Sequence, residues 1–376
     1  MSQLGLGTPD TRASTRQVRR RRGHSALATF IALAVVVGLI GAAAYFGRNA
    51  LSGILPDGGG PEDFAGPGTG AVSVQVAAGD SVTTIGATLA DAGVVATQDA
   101  FIDAAAGNPA AIGIQPGTYE LRLEMSAAGA LAVLVDAANR LVELVTLPEG
   151  LRLEEALTRL ATGAGVTVPE LEAAAADAAT IGLPAYAGGK LEGFIFPATY
   201  EFEPDATAAE VLTATVTRFG QAATDVSLEA GASALQISPL EVVTVASIVE
   251  AEASRAEDRP RVARVIFNRL AAGMRLQMDS TVHYAVGTAG DVFTTDEERE
   301  IDSPYNTYRA AGLPPGPIGS PGEEAMIAAL APAAGDWRYF VTVNLDTGET
   351  RFARTPEEHQ ANVTLLQQYC QDSDLC

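Results

Sequence analysis

From Ser238 to Glu252 the chain reads Ser-Pro-Leu-Glu-Val-Val-Thr-Val-Ala-Ser-Ile-Val-Glu-Ala-Glu. The opening residues specify a helix start, with Ser238 as N-cap, Pro239 at the first helical position and Glu241 closing a capping box onto Ser238. After Glu241 no charge appears until Glu250. The helix is therefore apolar almost throughout, and a fold that accepts it must bury it among other elements. Its end carries two carboxyls with different surroundings. Helical spacing puts Glu252 one turn beyond Ile248 and Val249 and two turns beyond Val245, whereas Glu250 follows Ala246, Ser247 and Val243, a smaller and more polar row. A carboxyl on an apolar ridge is desolvated, which favours its neutral form and raises its pKa. Such an acid, protonated near neutral pH, is a proton donor. The competing reading is a solvated carboxylate where a buried helix leaves the core, and the helical pattern by itself leaves both open.

The 376 residues allow two domains beyond any anchor. Ser25 to Phe46 is a run of 22 residues without a charge, against the roughly 20 that span a bilayer as a helix. Arg19 to Arg22 precede it and only Arg48 follows closely, so the positive-inside bias predicts a single-pass membrane protein with a cytoplasmic N-terminus and an extracytoplasmic body. A cleaved signal peptide is the alternative, because Ala42-Ala43-Ala44 resembles a cleavage site, but its apolar core is usually only about 7–15 residues. Residues 47–70 are rich in Gly and Pro and read as a flexible tether.

The formal charge of −22 is unevenly placed. The tail 1–24 holds six arginines and one acid, leaving 18 basic and 45 acidic residues beyond it, a net of −27. Such a body repels nucleic acid, and no basic stripe offsets the repulsion. Cys370 and Cys376 lie within the last seven residues, and His24, His283 and His359 are scattered. With no CxxC spacing and no His cluster, neither a metal site nor a cofactor is expected. Spacing does not decide whether the two cysteines pair.

The pattern of the body predicts an α+β fold in two parts. In residues 71–139, Val72 to Val76 alternates as a strand, Gly79-Asp80-Ser81 caps a helix through Ile85 and Leu89, a second helix follows Thr97, Gly117 to Arg122 forms a strand, and Ser126 opens another helix. This strand–helix–helix–strand order is LysM-like, a pattern of glycan-binding modules, although generic α+β packing gives the same order. Residues 140–366 predict a larger α+β domain. It contains a strand over Leu141–Leu147 and an aromatic segment over Leu191–Phe202 that suits the lining of a sugar cleft. Further on come a helix from Arg259 with Val262, Val265, Ile266 and Leu270 on one face, and a hairpin of Tyr339–Val343 with Thr350–Ala353. Residues 367–376 read as a tail.

Several motifs now fall in order: Pro116-Gly-Thr-Tyr119, Pro148-Glu-Gly150, Leu191-Glu-Gly-Phe-Ile-Phe-Pro197, Val245-Ala-Ser-Ile-Val-Glu-Ala-Glu252, Val265-Ile-Phe-Asn-Arg-Leu270, Gly273-Met-Arg-Leu-Gln-Met-Asp-Ser-Thr281, Pro304-Tyr-Asn-Thr-Tyr308 and Gly312-Leu-Pro-Pro-Gly-Pro-Ile318. Together they closely resemble the YceG-like endolytic murein transglycosylases, over roughly Ala71 to Leu366. The resemblance implies a membrane-anchored protein with a LysM-like subdomain and a YceG-type catalytic domain facing the cell wall. It implies cleavage of nascent glycan strands between N-acetylmuramic acid and N-acetylglucosamine without water, leaving 1,6-anhydro ends and terminating strand elongation. Peptidoglycan strands are then the substrate and peptidoglycan synthases candidate partners. A non-catalytic wall-binding scaffold and a hydrolase leaving reducing ends are the alternatives.

The family's catalytic acid falls on Glu252, with Glu250 as a second candidate carboxylate. Gln277, Asp279, Tyr305 and Asn306 occupy polar motif positions, either as glycan contacts or cleft supports or as ordinary turn and loop hydrogen-bonders. Gly312 to Pro317 reads as a rigid loop shaping the cleft. Three positions depart from the family pattern. Ala251 replaces a frequent Lys, Ser280 stands where Pro commonly follows the Asp, and Ala198 replaces an acidic residue.

Overall fold

The computed structural model describes residues 62–288 and 293–373. The basic tail, the apolar segment 25–46, the tether as far as 61 and Cys376 lie outside the described residues. Among the described residues no single helix is long and apolar enough to cross a membrane. The architecture is mixed α+β, as the alternating patterns predict.

The first part contains β1 (Pro67–Val76), α1 (Val82–Asp91), α2 (Gln98–Ala106), β2 (Gly117–Met125), α3 (Ala127–Leu134) and a short β3 (Arg140–Leu141). Ser81, Thr97 and Ser126 each accept a backbone N–H in the first turn of their helix, as N-caps do. The three strands form one antiparallel sheet in the order β1-β2-β3, with Val74 opposite Tyr119. Val74, Ile85, Leu89, Phe101, Tyr119, Leu121 and Leu134 fill its core. Strand β1 begins at Pro67, inside the stretch whose composition suggests a tether. Strand, helix, helix and strand follow one another in the predicted order; β3 is an addition.

The second part joins β4 (Glu143–Thr146) to β5 (Thr199–Phe202) and packs α4 (Leu153–Ala164), α5 (Val168–Ala175) and α6 (Ala208–Asp225) against them. The strand predicted over Leu141–Leu147 is thus split: Leu141 pairs with β2, and Glu143 to Thr146 pair with β5. The aromatic side chains of the segment predicted to line a cleft face the core instead. Phe194, Ile195 and Phe196 are buried, and Phe194 meets Phe219 edge-on at 4.9 Å. The reason is long-range: Gly193, at φ +83°, brings the backbone against Pro317, where a Cβ would lie 2.5 Å from the proline Cβ. The loop Gly312 to Pro317 is therefore packed onto the core.

The third part holds α7 (Leu228–Leu235), α8 (Pro239–Glu252), α9 (Arg259–Ala271), α10 (Asp279–Val286), α11 (Glu323–Leu330), the hairpin of β6 (Tyr339–Asn344) and β7 (Glu349–Ala353), and α12 (Pro356–Asp372). Helix α12 continues past Leu366, where the sequence suggests the body ends. Cys370, within it, is disulfide-bonded. Helix α8 begins with the predicted capping box, and every residue from Val242 to Val249 is buried. Helices α7, α9, α10 and α11 enclose it. Its two hydroxyls are satisfied internally. Thr244 donates to the Leu240 carbonyl at 2.8 Å, while Ser247 donates to the Thr244 carbonyl at 2.8 Å and accepts the Ile318 amide at 3.1 Å. Ile248→Ala is expected to destabilise the protein by about 2–5 kcal/mol, because the surrounding helices cannot collapse fully into the space left. A lowered urea midpoint would register it.

Candidate active site

Glu252 is the last residue of α8, and the chain turns away at Ala253, whose backbone is extended. Its side chain reaches a cleft of about 730 Å³. Gln277, Asp279, Ser280, Arg299 and Tyr308 line one side of this cleft, and Tyr339, Phe340 and His359 from β6 and α12 line the other. The motif Pro304–Tyr308 assembles the first side. The Thr307 carbonyl accepts the Gln277 amide at 3.1 Å and its hydroxyl accepts the Met278 amide at 3.0 Å, which fixes the entrance to α10.

Glu252 is only half-buried, with an open rim toward the cleft, yet enough protein surrounds its carboxyl to desolvate it. Burial is the main cause of a pKa raised above the ordinary carboxylate value, and the negative charge of Asp279 adds to it. Hydrogen bonds from Ser280 and the positive charge of Arg269 oppose the rise. Ser280 donates through Oγ to Glu252 Oε1 at 2.7 Å and through its amide at 3.3 Å.

Asp279, the neighbouring carboxylate, accepts two hydrogen bonds on Oδ1, from Thr294 Oγ1 and the Tyr308 hydroxyl, each at 2.6 Å, and the same oxygen forms an ion pair with Arg299 Nη2 at 3.5 Å. Arg299 also lies over the Tyr308 ring at 4.9 Å. Burial, then the bond to Asp279, raises the Tyr308 pKa, which keeps its hydroxyl a donor. Arg269 forms part of the cleft wall. It donates to the carbonyls of Leu276 and Arg338 and stacks 5.2 Å from the Tyr339 ring, tying α9, the entrance to α10 and β6 together. His359 stacks on the opposite end of this row, 5.2 Å from Tyr339.

Glu250 does not line the cleft. Its Oε1 pairs with Arg259 Nη2 at 2.7 Å and its Oε2 accepts the Gly322 amide at 3.1 Å. Arg259 reaches Glu324 at 2.8 Å and Glu149 at 3.3 Å as well. With 8% of its side chain exposed, Glu250 is more enclosed than its small, polar row suggests. Burial and the nearby Glu149 raise its pKa, while the Gly322 amide and Arg259 draw it down. The residue joins the end of α8 to the starts of α9 and α11. Glu250→Ala is expected to lower stability by about 3 kcal/mol, since Arg259 loses its most enclosed partner and the Gly322 amide its acceptor. Urea unfolding would measure this.

Of the four polar motif positions, Gln277 and Asp279 line the cleft and Tyr305 and Asn306 do not. Gln277 is held at φ +47°, an uncommon backbone for a non-glycine residue. Asn306 is fully buried and staples its own loop, donating to the carbonyls of Arg299 and Ile301 at 2.9 Å and accepting the Tyr308 amide at 3.0 Å. It thereby carries Arg299 and Tyr308 to the cleft. Tyr305 packs 4.7 Å from Tyr284, whose hydroxyl donates to Glu192. Sequence reasoning missed Thr294, Arg299, Tyr339 and His359 as cleft or support residues. Tyr308 lay within a quoted motif, but nothing local marked its bond to Asp279. Among the described residues, no group of three or more His, Cys, Asp or Glu is arranged to hold a metal ion.

Comparison with known proteins places this geometry. The YceG-like family model matches residues 74–365. An endolytic murein transglycosylase of Bacillus subtilis is 30% identical, covering 85% of this chain and 89% of its own length. One from Streptococcus pneumoniae is 30% identical over 89% of this chain and 64% of its own length. The crystal structure of a YceG-like protein from Listeria monocytogenes, also 30% identical, superposes with a TM-score of 0.53 over 78% of this chain and 99% of that one. A match that runs from β1 into α12 and takes in Glu252, Asp279, Arg299, Tyr308 and Tyr339 leaves one conclusion: the chain belongs to the YceG-like family.

Proposed function

We propose that this protein is a membrane-anchored endolytic transglycosylase of peptidoglycan, with Glu252 as its acid and then its base. The carrying observation is a desolvated carboxyl with a raised pKa, presented to an open cleft beside a second carboxylate held by two hydroxyl donors and an arginine. The names of the two bacterial relatives support the substrate class.

In the proposed reaction, protonated Glu252 gives its proton to the glycosidic oxygen between N-acetylmuramic acid and N-acetylglucosamine. The bond from that oxygen to the muramoyl anomeric carbon breaks, and the departing sugar leaves with a hydroxyl. The muramoyl 6-hydroxyl oxygen bonds to the anomeric carbon, and its proton passes to the Glu252 carboxylate, restoring the acid. No water is consumed. In this reading the charge of Asp279 stabilises the oxocarbenium-like transition state. Tyr339 and Phe340 offer aromatic faces on which sugar rings pack.

The apolar run 25–46 serves in this reading as the anchor, with the body outside the membrane and within reach of strands as synthases release them. The strand–helix–helix–strand unit acts as a LysM-like glycan-holding module. Mass spectrometry of glycan strands digested with the purified protein tests the chemistry. Anhydro-muramoyl ends inside former strands are the expected product. Water-added reducing ends would convert the reading to a hydrolase, and absence of cleavage would leave a wall-binding scaffold.

A further inference from the structure

Two donors of one residue converge on one oxygen of Glu252. Ser280 is the second residue of α10, a helix whose N-cap, Met278, makes no side-chain capping bond. The amide of Ser280 is one of the donors that a helix start leaves without a partner in its own helix, and Glu252 Oε1 accepts it at 3.3 Å from a different helix. The Ser280 hydroxyl reaches the same oxygen at 2.7 Å. Neither bond engages Oε2. An amide can only donate, so a proton placed on Oε1 would compete with it for the same oxygen. The neutral acid is therefore favoured with its proton on Oε2. When Glu252 ionises, both bonds become charge-assisted and stronger.

We propose that Ser280 is a positioning residue that fixes the transferable proton of Glu252 on Oε2 and steadies the carboxylate formed when that proton leaves. This rests on Glu252 being the acid of the proposed reaction. It also gives a role to a position at which the chain departs from its family pattern. The charged and titratable groups facing Glu252 are Asp279 of α10, Arg269 of α9 and Tyr308 of the following loop. His283, Arg299 and His359 line the same cleft. All of these remain when the Ser280 hydroxyl is removed. That hydroxyl favours the ionised form, so its loss moves the Glu252 pKa further up.

The test compares Ser280→Ala, Ser280→Thr and Glu252→Gln with the full-length wild-type protein on purified peptidoglycan glycan strands, across pH. Ser280→Ala is expected to lower kcat about 5- to 20-fold with KM within about twofold, the signature of an interaction that matters in the transition state. It should also move the high-pH limb of the rate profile to higher pH. Ser280→Thr, which keeps the hydroxyl, restores both. Wild-type kinetics in Ser280→Ala, with Glu252→Gln inactive, would overturn the role of Ser280 and leave the acid assignment standing. That role is equally overturned if the alanine variant loses activity with no movement of the limb and threonine does not restore it. Wild-type turnover in Glu252→Gln would remove the acid assignment and this inference with it.

Discussion

Glu252→Gln is expected to lower kcat/KM on glycan strands by about 10³- to 10⁴-fold, the upper range for one general acid–base group, since in the proposed reaction the same carboxyl acts in both halves. Substrate binding should persist, because the amide keeps the shape and the bonds from Ser280. Wild-type activity should fall as pH rises through the raised pKa of Glu252, where the proton donor is lost. The same shift has a stability consequence of definite sign. A carboxyl whose folded pKa exceeds its ordinary value supports the fold most at low pH, and that support is lost as pH climbs from the ordinary value through the raised one. Glutamine has no charge to penalise. The variant is therefore expected to melt at no lower a temperature than wild type at pH 7, and circular dichroism melts alongside product assays check both statements. An inactive variant that is also unfolded would sink the expectation.

Asp279→Asn is expected to lower kcat/KM by about 10²-fold, through loss of negative charge beside the developing positive charge of the sugar. Its effect on pH dependence should be opposite to that of removing the Ser280 hydroxyl. The Asp279 charge helps to raise the Glu252 pKa, so its removal lets Glu252 ionise sooner and moves the high-pH limb to lower pH. Arg299 and Tyr308 lose the carboxylate that gathers them, and part of the loss should appear in KM. A pH–rate series that left the limb in place would refute the electrostatic coupling of the two carboxyls.

What could be read in advance was local. Ser81, Thr97, Ser126 and Ser238 announced their helices because a cap bonds only two or three residues ahead. The buried face of α9 followed from the spacing of Val262, Val265 and Ile266. The apolar ridge singled out Glu252, and the structure places it in the cleft. It did not show that Glu250 is desolvated too, because the enclosure of Glu250 comes from Gly322, 72 residues away, and from Arg259 on the next helix. Distance in sequence likewise hid the attachment of Tyr308 to Asp279, 29 residues apart. Phe194 and Phe196 suit a sugar cleft by composition alone, but contact with α6 and the 312–317 loop draws them into the core.

Glu250 and Glu252 stand two residues apart on one helix and so project to widely different sides of it. One is bolted to Arg259 and Gly322, and the other is left at a solvent-facing cleft. A helix that is apolar all round has few side chains to stop it rotating about its own axis, since one greasy face substitutes for another. Glu250 works as an indexing pin: only one angular setting of α8 lets it meet the guanidinium. That setting is the one that aims Glu252 at Ser280. Glu250 thereby sets the compass bearing of Glu252, the acid of the proposed reaction.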